Sequence, residues 1–199
     1  SRLAIIGAGY IALEVAQVFR RLGSDVVLVA RGETFLPNED RDIAAAIRAV
    51  LEEDGIEFVD NVETDSVRQV PGGIELAYSR NGVAGRLTCS HLMVAVGRTP
   101  NSAGLGLEAA GVQVDKRGAI TVDDFLQTTA ENVYAVGDCN GGPLFTHASW
   151  DDYRILLANV LHGAGRSTAG RLMPYTLFID PELGRVGLTE EQARAQGHD

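Results

Sequence analysis

The sequence predicts an α/β fold whose first domain is a parallel sheet covered by helices. Two observations support this class. Apolar runs of strand length alternate with segments of helical periodicity, and a glycine-rich turn joins the first strand to the first helix. The composition agrees, because 45% hydrophobic residues, 22% charged residues and 23 glycines in 199 residues are typical of a folded globular chain.

Charge and cysteine usage argue against several functional classes. A net charge of −10 disfavours nucleic-acid binding, which needs a basic surface. No apolar stretch approaches the ~20 residues that cross a bilayer, so we expect no membrane partner and a cytoplasmic location. Cys89 and Cys139 are far apart and the four histidines form no cluster. The sequence therefore predicts neither a redox pair nor a metal site.

The first strand and the first helix are joined by a GxGxxA turn. The apolar run from Leu3 to Ile6 precedes it, and apolar residues at helical spacing follow over residues 10–22. Gly7 permits a tight turn, Gly9 leaves the backbone open to a pyrophosphate, and Ala12 lets the helix pack closely on the strand. We therefore expect a Rossmann-like dinucleotide-binding unit, with an ordinary glycine-rich turn as the alternative on spacing alone.

The elements that follow complete this domain. The parallel sheet continues with strand 25–30, helix 40–54 and strand 56–59. Turns at Pro71-Gly72-Gly73 and Asn81-Gly82 then separate the strands of an antiparallel β-meander, predicted at 62–70, 74–79 and 85–89. The meander is the crossover to a buried strand at 92–96. Turn residues after it place a domain boundary near residue 98.

Beyond residue 98 the pattern is less regular. We expect a short helix at 107–110, strands at 112–114, 119–122 and 133–136, and a helix at 147–161. Thr146, Ser149, Asp151 and Asp152 are expected to cap that helix and complement its dipole. Strands are predicted at 175–179 and 185–188, with a new helix from Thr189. This late helix start and the missing initiator Met favour a piece of a longer polypeptide.

Four motifs occur in order along the chain: GAGYIALE, VAVGRTPN, TTAENVYAVGDC followed by FTH, and MPYTLFIDPELGRVGLTE. Together they resemble the flavin-dependent pyridine nucleotide-disulfide oxidoreductases, and most of all the mercuric reductase branch. The resemblance implies an NAD(P)-binding domain at 1–98, the C-terminal part of an FAD-binding domain at 99–165, and the start of a dimerisation domain at 166–199. The family's redox cysteine pair and catalytic histidine lie outside these motifs. The resemblance implies a homodimeric parent enzyme and, because that cysteine pair and histidine are missing here, a fragment that is inactive alone.

The resemblance also implies roles on the nicotinamide side. Tyr10 matches the tyrosine that covers the flavin until nicotinamide displaces it, although a buried aromatic beside the turn is the alternative. Glu14 matches a carboxylate that contacts the nicotinamide amide and pairs with a lysine outside this chain, so we expect it to lack that salt bridge. Arg98, which follows Gly97, matches an arginine near the nicotinamide ribose, with a structural ion pair as the alternative.

Charge at the end of the second strand indicates which nicotinamide cofactor is used. NAD-specific sites place an acid there, about 20 residues beyond the fingerprint, whereas this chain has Ala30 followed by Arg31. A guanidinium can bind the 2′-phosphate through paired hydrogen bonds. We therefore expect NADPH, with NADH possible and a solvated surface charge as the alternative for Arg31. Pro37 stands near the place of a second arginine found in relatives, and Arg41 is its candidate substitute.

On the flavin side, Asp138, after Gly137, matches the acid that binds the ribityl and phosphate region of FAD. Thr146 matches the residue whose N–H reaches flavin O2, at the start of a helix whose dipole would stabilise charge on reduced flavin. Leu144 matches a residue whose carbonyl accepts from the nicotinamide amide. His147 replaces an apolar or small residue, and tuning of the flavin, capping and packing all remain open for it.

These expectations combine into one function: hydride passes from NADPH to FAD, and electrons continue to a disulfide, a metal ion or a similar small acceptor. A dihydrolipoamide dehydrogenase or an NAD(P)H oxidase or peroxidase is the alternative within the enzymes. A non-catalytic nucleotide-binding redox sensor is the alternative outside them.

Overall fold

The computed structural model describes residues 1–32 and 35–198. The chain packs as two compact units. Unit 1 contains Ser1–Gly97, Thr176–Gly184 and the residues from Leu188 onward, and unit 2 contains Arg98–Tyr175 and Arg185–Gly187. The division of the sequence into NAD(P)-binding, FAD-binding and dimerisation domains is a division by function and stays a prediction.

The described elements follow one another along the chain as strands and helices of ordinary length. In order they are β1 (Arg2–Ile6), α1 (Tyr10–Arg21), β2 (Asp25–Val29), α2 (Arg41–Glu53), β3 (Glu57–Val59), β4 (Glu63–Val70), β5 (Gly73–Arg80), β6 (Val83–Cys89), β7 (His91–Val94), α3 (Thr146–His162), β8 (Tyr175–Leu177), β9 (Leu183–Arg185) and α4 (Glu190–Ala195).

Unit 1 contains a parallel sheet with strand order β3-β2-β1-β7. Alternate residues of its strands face opposite sides, as the two-residue period of a strand requires. Ile5 and Leu28 pack in a core with residues of α1, α2 and the segment 177–183. Ala4 and Val27 pack in a second core with residues of β5 and β6. The predicted α/β class with a parallel sheet is thus confirmed, and both sheet faces are covered.

The antiparallel meander β4-β5-β6 lies between β3 and β7 along the chain and forms a separate three-stranded sheet. Asn81 and Gly82 have φ of 50° and 77°, so both central residues of the β5–β6 turn are left-handed. This is the geometry of a type I′ hairpin, which the Asn-Gly pair predicts. The meander does more than return the chain to the sheet, because Leu76 and Leu87 cover the second face of the parallel sheet.

Unit 2 has less regular structure than the sequence predicts. The expected helix at 107–110 is a turn, and the expected strands at 112–114, 119–122 and 133–136 are reduced to isolated bridges. These segments pair over single residues rather than along a ladder, so the helix and strand predictions are wrong. The turns beside them are closed by side chains, since Asp115 accepts from the N–H groups of residues 117 and 119, and Asp123 from those of 125 and 127.

The last helices differ in how they begin. The residue preceding α3 is Phe145, and no side-chain cap bond is present there, so the capping role predicted for Thr146, Ser149, Asp151 and Asp152 is wrong. Helix α4 begins as predicted, since the Thr189 hydroxyl accepts from Gln192 N and the Gln192 side chain bonds back to Thr189 N. None of the described helices is long and apolar enough to cross a membrane.

Candidate nucleotide and flavin site

The turn between β1 and α1 accepts only glycine at its first position. Gly7 has φ of +123°, and a Cβ built on it would lie 2.4 Å from the carbonyl oxygen of Ala95. Its N–H donates to Val29 O at 2.9 Å. The turn is therefore fixed by strands on both sides of β1, and its backbone path depends on the missing side chain.

Gly9 lies on the opposite, open side of the same turn. It is the residue preceding α1, with φ of −84°, and a Cβ there would meet no heavy atom within 4 Å. Because this residue is glycine, it has no side chain with which to cap the first N–H groups of α1. Ala12 is completely buried, which brings α1 close to the sheet. The first turn of α1 thus presents backbone donors to open space, the arrangement that binds phosphate.

Tyr10 is held at the start of α1 by an acidic side chain. Its hydroxyl donates to Glu39 Oε1 at 2.7 Å, and the pair is partly buried. Glu39 lies in the connection between β2 and α2, which also carries Arg31. No local sequence pattern links Glu39 to Tyr10, so this contact is not predictable from the sequence.

Glu14 faces a segment from the other end of the chain. Its Oε1 accepts from the backbone N–H of Phe178 at 2.9 Å. The sequence predicts that Glu14 lacks its usual lysine, and the structure supplies this backbone donor. One turn further along α1, Gln17 is 4% exposed and bonds to the backbone of Asp180. A polar residue on the buried stripe of α1 is the signal that could have identified it.

The end of β2 has the neutral and positive character that the sequence predicts. Ala30 is buried, and its N–H and C=O bond to Val59 and Val62. Arg31 is exposed directly after it. A negative group approaching this edge meets a guanidinium rather than a carboxylate, which favours a phosphate over a bare ribose hydroxyl. Arg41, the candidate second arginine, is the first residue of α2.

Unit 2 brings together Arg98, Gly137 and Asp138. Arg98 Nη1 lies 2.7 Å from Asp138 Oδ2, and both side chains are about half exposed. The structure thus shows an ion pair, which is the alternative role for Arg98. Gly137 has φ of +75°, and a Cβ on it would lie 2.9 Å from Ser149 Oγ. Gly97, which precedes Arg98, also has a positive φ of +123°.

Asp152 holds the loop that carries Asp138. It is 3% exposed, its Oδ2 accepts from Gly137 N at 2.9 Å and Asn140 Nδ2 at 3.0 Å, and its Oδ1 lies 2.6 Å from Arg171 Nη1. The acidic run 151–152 has no mechanistic explanation in the sequence. The structure gives Asp152 one: it fixes the start of the short 3₁₀ turn Gly137–Asn140.

The beginning of α3 carries an aromatic stack. The ring of Phe145 stacks on His147 at 5.3 Å and on Tyr175 at 5.4 Å between centroids. Leu144, Thr146 and His147 are exposed. Of the roles left open for His147, packing has direct support in this stack, and its exposed ring still meets solvent.

Among the described residues, the cysteines and the side chains that could bind a metal form no further candidate site. Cys89 is buried beside Ile74 O, and burial raises the pKa of its thiol. Cys89 and Cys139 are both free thiols. Within residues 1–32 and 35–198 no group of three or more histidine, cysteine, aspartate or glutamate side chains could hold a metal ion.

Comparison with known proteins identifies the family. The family model of the pyridine nucleotide-disulphide oxidoreductases matches residues 1–152. RclA of Escherichia coli K12, a probable pyridine nucleotide-disulfide oxidoreductase, is 42% identical over 198 residues, which are 99% of this chain and 44% of RclA. The solved structure of RclA, described as an HOCl-induced flavoprotein disulfide reductase, matches with a TM-score of 0.91 at 41% identity and covers 100% of this chain and 45% of that chain.

Two other groups of enzymes are similar. Mercuric reductase of Bacillus cereus is 36% identical over 200 residues, covering 100% of this chain and 32% of that enzyme. Dihydrolipoyl dehydrogenase of Thermus scotoductus is 36% identical over 201 residues, covering 100% of this chain and 43% of that enzyme. The chain spans less than half the length of each of these relatives. It belongs to the pyridine nucleotide-disulphide oxidoreductase family.

Proposed function

We propose that the chain contains the NADPH-binding domain and part of the flavin-binding domain of an oxidoreductase that reduces a disulfide, a metal ion or a similar small acceptor. The turn at Gly7 and Gly9 carries the proposal. Gly7 is closed in by Ala95, whereas Gly9 faces open space at the first turn of α1. A pyrophosphate fits this arrangement, since backbone N–H groups can reach it without an intervening side chain.

The other residues of unit 1 take their roles from this placement. Arg31 binds the 2′-phosphate, Glu14 accepts from the nicotinamide amide through its remaining carboxylate oxygen, and Tyr10 moves when the nicotinamide ring binds. NADPH is preferred over NADH because Arg31 follows a buried alanine, where an acid would otherwise accept from the ribose hydroxyls. The role of Arg31 rests on charge, so it is open to a direct test.

The residues of unit 2 fit the flavin. Gly137 has a left-handed φ of +75° that disfavours other residues, Asp138 is an exposed acceptor held by Arg98, and Thr146 is the first residue of α3. When bound, FAD supplies the group that accepts the hydride of NADPH. Asp138 binds its ribityl and phosphate region, the N–H of Thr146 donates to its O2, and the dipole of α3 favours negative charge there.

The acceptor is proposed only by class. The relatives are named for disulfide reduction, mercuric reduction and dihydrolipoyl oxidation. These activities belong to polypeptides more than twice as long as this chain, so we propose that the chain binds nucleotide but does not complete the reaction alone. A homodimer and a cytoplasmic location for the parent enzyme belong to the same proposal.

The experiment is a comparison of NADP⁺ and NAD⁺ binding by calorimetry. We expect the chain to bind NADP⁺ more tightly than NAD⁺ by about tenfold or more, because charge-assisted hydrogen bonds to the 2′-phosphate contribute about 1.5–3 kcal/mol. Arg31→Glu should abolish or reverse the preference. Arg80→Glu is the matched control, since Arg80 is an exposed arginine at the end of β5 and its replacement changes the net charge equally.

Two results would count against the proposal in different ways. An unchanged NADP⁺ to NAD⁺ ratio in Arg31→Glu removes Arg31 as the phosphate-binding residue and leaves dinucleotide binding standing. Failure of both nucleotides to bind the folded chain contradicts dinucleotide binding itself.

A further inference from the structure

We propose that Gln17 is a positioning residue for nicotinamide binding. It fixes residues 177–180, which we call the docked segment, against α1, so that Phe178 N–H orients the carboxylate of Glu14. The inference rests on the proposed function, in which Glu14 accepts from the nicotinamide amide. It adds a residue that touches no cofactor and determines where Glu14 points.

The Gln17 amide pairs through both of its ends with the backbone N–H and C=O of one residue of the docked segment. Its Nε2 donates to Asp180 O at 3.0 Å, and its Oε1 accepts from Asp180 N at 2.7 Å. Two facing residues of neighbouring antiparallel strands exchange the same pair of hydrogen bonds, one donated and one accepted. The Gln17 side chain thus makes the hydrogen bonds that a neighbouring strand would make, with a segment more than 160 residues away in sequence.

The orientation of the Gln17 amide is determined by its partners. Asp180 N can only donate, so it requires the oxygen of Gln17. Asp180 O and Asp54 Oδ2 can only accept, and both lie on the Nε2 side, at 3.0 Å and 2.8 Å. A flipped amide would lose all three hydrogen bonds, and Gln17 is 4% exposed, so water cannot readily replace them. The side chain therefore has one arrangement.

The docked segment has the alternation that this attachment needs. Leu177 and Ile179 are 0% and 4% exposed and pack in the core of unit 1, whereas the ring of Phe178 is 72% exposed. The N–H groups of residues 178 and 180 both reach side chains of α1. Glu14 and Gln17 are three residues apart and share one face of α1, so each meets one of these two donors.

The consequence concerns the orientation of Glu14. Its Oε1 is bound by Phe178 N–H at 2.9 Å, and its second oxygen can accept from the nicotinamide amide. Removal of the Gln17 amide leaves the backbone N–H of Asp180 without its partner, so the docked segment can shift although Arg21 still binds the Asp180 carboxylate at 2.6 Å. Glu14 then loses its fixed donor, and the nicotinamide end of the site loses preorganisation. The phosphate end, built by Gly9 and Arg31, is unaffected.

The test separates the two ends of the nucleotide. Gln17→Met keeps the length of the side chain and removes its hydrogen bonds. We expect NADP⁺ to bind about three- to tenfold more weakly, the effect of one or two net hydrogen bonds, whereas 2′,5′-ADP, which lacks nicotinamide, changes by less than about twofold. Val18→Met is the matched control, because it places the same side chain at the neighbouring, half-exposed position of α1, and it should change neither affinity.

Each other outcome has a defined meaning. Equal weakening of NADP⁺ and 2′,5′-ADP, or no weakening of either, overturns the role of Gln17. Absence of binding of both ligands to the wild-type chain contradicts the proposed function instead. If Gln17→Met does not fold, Gln17→Asn, which keeps the amide on a shorter side chain, must show the same selective loss for NADP⁺, and an unchanged affinity overturns the proposal.

Discussion

The hydroxyl of Tyr10 donates to the carboxylate of Glu39, with 2.7 Å between Oη and Oε1. The residue proposed to move for nicotinamide is therefore attached to the connection between β2 and α2. A carboxylate acceptor makes this bond stronger than one between neutral groups. If Tyr10 moves, it must either break this hydrogen bond or move together with Glu39.

The first prediction follows from that attachment. If nicotinamide displaces Tyr10, Glu39→Ala removes a hydrogen bond that opposes this movement. We therefore expect NADP⁺ to bind about two- to fivefold more tightly. The affinity for 2′,5′-ADP should stay the same, because this ligand does not reach Tyr10. Calorimetric titration of both ligands measures the effect.

Asp42→Ala is the control for this variant, since Asp42 is an exposed acid in the first turn of α2. An unchanged or weaker NADP⁺ affinity in Glu39→Ala, with Asp42→Ala at the wild-type value, would show that Tyr10 does not have to leave its place. The aromatic residue would then be a packing residue beside the turn.

The parallel part of the fold was predictable because its signals are local. The GxGxxA turn, the apolar strands and the Asn81-Gly82 turn each specify a backbone conformation within a few residues. Unit 2 was less predictable because its expected strands are short and pair over single residues, between turns that Asp115 and Asp123 close by binding backbone N–H groups. Its three expected segments contain residues that favour strands, but they do not form a continuous ladder of hydrogen bonds.

The contacts around the candidate site were missed for a different reason. Gln17 bonds to Asp180, and Asp152 bonds to Gly137 and Arg171. Partners this distant in sequence leave no local pattern. Both side chains nevertheless share one signal, a polar residue on the buried stripe of a helix: Gln17 lies beside Leu13, and Asp152 lies between Ala148 and Ile155. Buried polar residues need partners, so such positions indicate contacts before they are seen.

The second prediction concerns Asp152. Asp152→Ala leaves Arg171, whose side chain is 17% exposed, without its closest partner and removes the acceptor for Gly137 N. Loss of one member of a buried ion pair lowers the free energy of unfolding by about 3 kcal/mol or more. Urea unfolding of purified protein measures the change.

Asp151→Ala is the matched control, because Asp151 is the adjacent acid and its contacts with Arg171 and Arg166 are longer, at 3.4 Å and 3.7 Å, with the side chain 29% exposed. We expect its effect to be below about 1 kcal/mol. Equal effects of the two substitutions would mean that the pair is not the source of the stability. In Asp152→Ala the amide of Gly137 should also exchange faster with solvent, which links the loss to the loop of Asp138.

The third prediction is a dependence of stability on pH. Burial raises the pKa of the Asp54 carboxyl, but hydrogen bonds from Gln17 and Arg21, with the charges of Arg21 and Arg20, lower it by more, so that it lies below its ordinary value of 3.8. The folded protein thus binds this proton more weakly than the unfolded chain does. The resulting stability is complete above the unfolded pKa and is lost as the pH falls through the folded pKa.

Asp54→Asn should therefore be less stable than wild type at pH 7 and should lose less stability between about pH 5 and pH 2. Glu53→Gln replaces an exposed neighbouring acid, and its unfolding free energy should follow the wild-type curve. Thermal or urea unfolding across this range measures both variants, and parallel curves for Asp54→Asn and wild type would show that Asp54 keeps its ordinary affinity for protons in the fold.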